Sequence, residues 1–83
     1  MMPAPSTVTL YGKEECCLCN QAMEILLKVR ESVPFDLEKI DISADPELLL
    51  RFEREIPVIF VDGRKMFRYR VKEDRFRRAV TKG

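Results

Sequence analysis

Residues Lys13–Val29 read KEECCLCNQAMEILLKV, and they hold all three cysteines of an 83-residue chain, Cys16, Cys17 and Cys19. Four chemistries gather sulfur this densely: a structural disulfide, a metal site, a redox pair, or burial of small apolar side chains. Behind the cysteines, Ala22, Ile25, Leu26, Val29 and Val33 recur at the spacing of one helix face, with Asn20, Glu24, Lys28 and Glu31 on the other. The spacing predicts a helix from Cys17 to about Ser32, stopped by Pro34.

Working outward, Thr7–Tyr11 is β-branched and aromatic, ends at Gly12, and reads as a first strand. Phe35–Ile42 reads as a second, with a slip in its alternation around Lys39. Asp45 is a good N-cap with Pro46 at the first helical position, and Leu48, Leu49 and Phe52 give that helix one buried face. Val58–Val61 is a continuous apolar run, as expected of a central strand buried on both sides. After a tight turn at Asp62-Gly63, the last strand is expected to alternate, with Phe67, Tyr69 and Val71 on one face and Met66, Arg68 and Arg70 on the other. A short helix from about Lys72 to Thr81 carries Phe76, Ala79 and Val80. The order β-α-β-α-β-β-α predicts an α/β fold in which helices cover a four-stranded mixed sheet. Residues 1–6 read as a loose N-terminal segment and 7–83 as a single domain.

A chain 46% hydrophobic and 35% charged suits a soluble globular protein. The opening MMPAPST lacks the basic and apolar regions of a signal peptide, and no apolar run approaches a membrane span. A cytoplasmic location is therefore expected, where thiols rest reduced and a C-x-x-C motif reads as catalytic or metal-binding. A disulfide closing a four-residue loop would stabilise little. With no histidine, Ser-His and Cys-His triads are excluded, and a four-ligand zinc site cannot close within one chain unless a carboxylate joins. An iron–sulfur cluster bridged between two chains stays open as an alternative. Gly12, Gly63 and Gly83 are too scattered for a phosphate loop.

Net charge is only +1, but nine Lys/Arg face Glu73 and Asp74 from Arg64 onward, while six face twelve acids before it. That basic tail is either a solvated face or a docking surface for an anionic partner. Nothing in it matches a nucleic-acid motif.

At the start of a helix the first backbone N–H groups lack partners and the dipole is positive. A thiolate at Cys16 is stabilised there, so its pKa is expected to fall below that of a free thiol. Cys19, one turn on, can attack a mixed disulfide formed on Cys16. Cys17 points about 100° away and reads as an accessory thiol. Lys13 could add positive charge or bind a carboxylate, whereas Glu14 and Glu15 act in the opposite sense. Pro57 opens the buried strand, and a cis bond after Ile56 would leave the backbone there free to pair with an extended peptide.

These residues resemble the glutaredoxin-like branch of the thioredoxin-fold superfamily. Tyr11 through Cys19 looks like the glutaredoxin Y-x-K-x-x-C-x-x-C start, Glu55-Ile56-Pro57 like its T-V-P segment, and Val61-Asp62-Gly63 like the turn between the last two strands. The resemblance runs from about Thr7 to Val80. It implies a thioredoxin-like fold and thiol–disulfide exchange, with Cys16 as nucleophile, Cys19 as resolving thiol and a cis Pro57. Lys13, Ile56, Pro57, Arg68 and Arg70 are the expected substrate contacts, with Tyr11 and Cys17 accessory.

The chain departs from the pattern in three places. Cys17 replaces the usual proline of C-P-x-C, Glu55 the small threonine, and Arg68-Tyr69-Arg70-Val71 the Gly-Gly-x-Asp segment that binds the glutathione carboxylate. The leading reading is a monomeric oxidoreductase of protein or small-molecule disulfides that needs no cofactor, with glutathione a candidate reductant. Neither nucleic acid nor membrane is expected as a partner. The alternatives are a non-catalytic thioredoxin-fold binding module and a metal- or cluster-handling protein.

Overall fold

The run TVTLYG forms strand β1, Thr7–Gly12, whose alternation buries Val8, Leu10 and Gly12 on one side. A computed structural model describes residues 5–14 and 16–81 of the chain. After β1 come helix α1 (Cys17–Ser32), strand β2 (Asp36–Asp41), a 3-10 turn at Ile42–Ala44 and helix α2 (Pro46–Phe52). Strands β3 (Val58–Val61) and β4 (Arg64–Arg68) and helix α3 (Glu73–Val80) complete the chain. The sheet order is β2-β1-β3-β4, with β1 parallel to β2 and antiparallel to β3, and β3 antiparallel to β4. This is the four-stranded mixed sheet of an α/β fold that the pattern of elements predicts.

Two cores sandwich the sheet. On one face Val8, Leu10, Ile59 and Val61 meet Ala22, Leu26 and Val29 of α1 and Phe76 and Val80 of α3. On the other, Ile42, Phe52 and Val58 gather Tyr11, Leu48, Leu49, Ile56 and Phe60. Strand β3 therefore supplies both cores in alternation, which is why its sequence is apolar throughout. Burial of one such Leu, Ile or Phe side chain contributes about 1.5–3 kcal/mol.

Local chemistry sets the ends of the elements. Asp45 caps α2 by accepting the Glu47 N–H at 2.9 Å, with Pro46 in its first turn. Asp62 (φ 51°) and Gly63 (φ 81°) take the left-handed conformations that a two-residue hairpin needs. Helix α3 begins one residue later than Lys72, which is its N-cap.

Two strand expectations are corrected. Strand β2 stops at Asp41 rather than Ile42, because the Asp41 carboxylate accepts the Ser43 N–H at 2.8 Å and turns the chain into the 3-10 segment. Strand β4 stops at Arg68, and its alternation fails twice. Ile59 pairs with Phe67 but Phe60 with Lys65, so Met66 is an extra residue in a β-bulge. Tyr69 then takes φ 67° and ends the strand.

Of the segment 1–6 expected to be loose, residues 1–4 lie outside the described residues. Ser6 is buried, and its carbonyl accepts the Asp36 N–H at 2.9 Å. Glu15 and residues 82–83 also lie outside. Among the described residues, no helix is long and apolar enough to cross a membrane.

Candidate active site

Cys16 is the N-cap of α1, in extended backbone geometry, and its Sγ accepts the Cys19 N–H at 3.3 Å. The three free thiols differ in access: Cys17 is exposed, Cys16 half-buried and Cys19 only 2% exposed. Helical phase explains this order, since Cys19 lies on the same stripe as Ala22, Leu26 and Val29.

Cys19 sits against the end of β1. A Cβ on Gly12 would lie 2.7 Å from Cys19 Sγ and 3.2 Å from Leu10 Cδ2, so only glycine leaves room for the sulfur. Burial pushes the Cys19 thiol up to about 11 from an ordinary 9.0, and its hydrogen bond with the Cys16 side chain acts in the same direction. The backbone N–H of Lys13 and the charge of Lys39 oppose that rise. Lys39 reaches this face because β2 pairs it with Leu10, whose side chain lies under α1.

A second group forms where β3 begins. The Ile56–Pro57 peptide is cis, Pro57 is buried and Ile56 half-buried. Tyr11 pairs with Val58, which brings Pro57 to the Gly12 end of β1, just ahead of the cysteines. The Tyr69 N–H donates to the carbonyls of Pro57 (3.0 Å) and Glu55 (3.2 Å), clipping the end of β4 to this loop. The Glu55 carboxylate accepts from Lys65 Nζ at 2.8 Å and Arg68 Nη1 at 3.3 Å. Lys65 foremost, with Arg68, holds the Glu55 carboxyl below its ordinary range.

The expected site residues thus divide. Cys16 and Cys19 meet at the start of α1, where Lys13 reaches Cys19 through its backbone N–H. Ile56, Pro57 and Arg68 lie at the open end of the β3–β4 hairpin, where Val58 pairs with Arg68. Arg68 and Arg70, expected on one face, are separated by the left-handed Tyr69. Arg70 instead lines a groove of about 100 Å³ with Leu18, Gln21, Ala22, Ile25, Tyr69 and Val71, beside the first turns of α1. Tyr11 belongs to the core under α2, with ring centroids 4.8 Å from Phe52 and 5.4 Å from Phe60. A larger hollow of about 640 Å³ is open surface around the start of α3, lined by Lys72, Glu73, Asp74, Arg75 and Arg78 and by no cysteine. Among the described residues, no three Cys, Asp or Glu side chains converge as metal ligands would.

Sequence reasoning missed Gly12, Lys39 and Lys65. The slip around Lys39 was the available signal for that residue. Lys65 gave none, because in a regular strand it and Arg68 would point to opposite faces.

The glutaredoxin-like domain family (DUF836) matches residues 7–81. A Dictyostelium discoideum protein described as a glutaredoxin-like YDR286C homolog is 30% identical over 74 residues, 82% of this chain and 68% of its own length. The solution structure of Ne2328 from Nitrosomonas europaea superposes with a TM-score of 0.83 at 23% identity, covering 98% of both chains. The N21Q thioredoxin of Halobacterium salinarum superposes at 0.65 with 18% identity, over 93% of this chain and 73% of its own. The fold is that of thioredoxin.

Proposed function

The chain belongs to the glutaredoxin-like domain family, whose thioredoxin fold supports a redox-type role in general, and on that premise we propose that it is a thiol–disulfide oxidoreductase. The observation that carries this reading is the asymmetry of the pair. A partly exposed Cys16 sulfur at a helix N-terminus accepts the amide of a sealed, proton-holding Cys19.

In this reaction Cys16 acts as a thiolate, its sulfur accepting the Cys19 N–H at the start of α1. That thiolate attacks one sulfur of a substrate disulfide, the S–S bond breaks, and the departing thiolate takes a proton from solvent. Cys19 then gives up its proton and attacks the Cys16 sulfur of the mixed disulfide, expelling the second substrate thiol. The substrate gains two electrons and two protons, and the chain keeps a Cys16–Cys19 disulfide. An external thiol reductant, with glutathione as the candidate, returns it to the dithiol. Lys39 and the Lys13 amide ease the second step by favouring the Cys19 thiolate. The Ile56 backbone and Pro57 receive the substrate chain, while Lys13, Arg68 and Arg70 are available to its anionic groups.

Reduction of a peptide disulfide, followed with single cysteine variants, tests the assignment. Cys16→Ser abolishes turnover, and Cys17→Ser retains most of it. Loss of activity on Cys17→Ser instead would assign the nucleophile to the exposed thiol and overturn this reading.

A further inference from the structure

The sequence left the basic tail as either a solvated face or a docking surface, and the geometry of β4 bears on that choice for the part of the tail it carries. A regular strand would point Lys65 and Arg68 to opposite sides of the sheet, but the bulge at Met66 puts both on the face of Val58 and Phe60. There they converge on one carboxylate, that of Glu55, at 2.8 and 3.3 Å. Arg68 is held from a second side as well, its guanidinium carbon 5.8 Å from the centre of the Tyr69 ring. Two cations meeting one carboxylate leave a positive charge over.

Along the same edge, though not beside Glu55, Arg64 and Arg70 are exposed and form no ion pair among the described residues, and Met66 is 42% exposed between them. The tail acid Glu73 is committed elsewhere, to Lys28 and Arg77. Strand β4 is also an edge of the sheet, with no strand beyond it among the described residues. Its end is bonded to the Pro57 loop through Tyr69.

We propose that this edge docks an extended, acidic segment of a protein partner, and that Glu55 fills the place of the partner's carboxylate while the edge is vacant. The proposal names the substrate class of the exchange site, and so rests on that reading. The occupant is a polypeptide because a strand edge offers backbone pairing alongside the two cations. Glu55 supplies the chemistry by example: the Lys65–Arg68 pair already holds a carboxylate. An incoming acidic side chain displaces it, so Glu55 acts as an internal competitor that sets selectivity for acidic partners.

The test is an NMR titration of the reduced chain with a cysteine-free, Glu-rich peptide and with its Gln-for-Glu counterpart. Binding of this probe needs no thiol, so its failure is distinguishable from failure of the exchange reaction. The acidic peptide binds roughly tenfold more tightly than its counterpart at low salt, moves the amides of Arg64 through Tyr69, and loses affinity as salt rises. Glu55→Gln tightens binding roughly two- to fivefold by removing the competitor, and Arg68→Gln weakens it by a similar factor. Equal binding of the two peptides would overturn the proposal. So would shifts confined to Arg75 and Arg78 of α3, tighter binding of a single-stranded oligonucleotide, or weaker binding in Glu55→Gln.

Discussion

At the residue scale the site depends on unequal thiols made by position alone. Cys16 and Cys19 have the same chemistry, yet one caps a helix and the other is pressed against Gly12 under the α1 stripe. Burial first, and the Cys16 hydrogen bond next, raise the folded-state Cys19 value to about 11. Between the unfolded value near 9.0 and about 11, the folded reduced protein therefore holds more protons than the unfolded chain. The stability this shift contributes is complete below pH 9.0 and is lost as pH rises through about 11. Urea unfolding of the reduced protein should show that loss relative to Cys19→Ala over the same window. Parallel pH profiles for the two proteins would mean that the thiol is not held protonated by the fold. The Cys16–Cys19 spacing was legible in the sequence, because a helix start and a three-residue interval can be read locally. Gly12 and Lys39 were not, because their roles depend on which strand lies beside which.

At the element scale the helices and the central strand were readable and the last strand was not. Helix α1 runs from Cys17 to Ser32, as its apolar stripe and Pro34 predict, and Asp45-Pro46 opens α2 as expected. Capping and periodicity are local properties, so sequence carries them. The bulge at Met66 and the left-handed Tyr69 arise from pairing and from bonds to the Pro57 loop, which no local pattern encodes. Helix α3 also depends on the tertiary structure, since an isolated helix of eight residues is marginal in water. Phe76 anchors it, with ring centroids 5.3 Å from Phe35 and 6.4 Å from Phe67. Phe76→Ala is expected to cost about 3–5 kcal/mol, measured by denaturant unfolding. A loss below about 1 kcal/mol would mean that α3 is held by its surface ion pair from Glu73 to Lys28 of α1 instead.

At the scale of the whole molecule, one small sheet brings two candidate functional groups to the same end. The parallel β1–β2 pair and its crossover helix carry the thiols, and the antiparallel β3–β4 hairpin carries Pro57 and the Glu55–Lys65–Arg68 cluster. The uneven charge of the chain follows the same division, with its basic excess beginning at β4. The central claim is that Cys16 and Cys19 form a single two-electron couple. Its most direct test is to equilibrate the wild-type protein across a series of glutathione redox buffers and map the trapped thiols by mass spectrometry. One cooperative transition is predicted, in which a Cys16–Cys19 disulfide forms and Cys17 stays outside the intramolecular bridge. A bridge that includes Cys17, or no intramolecular bridge at any poise, would contradict the account.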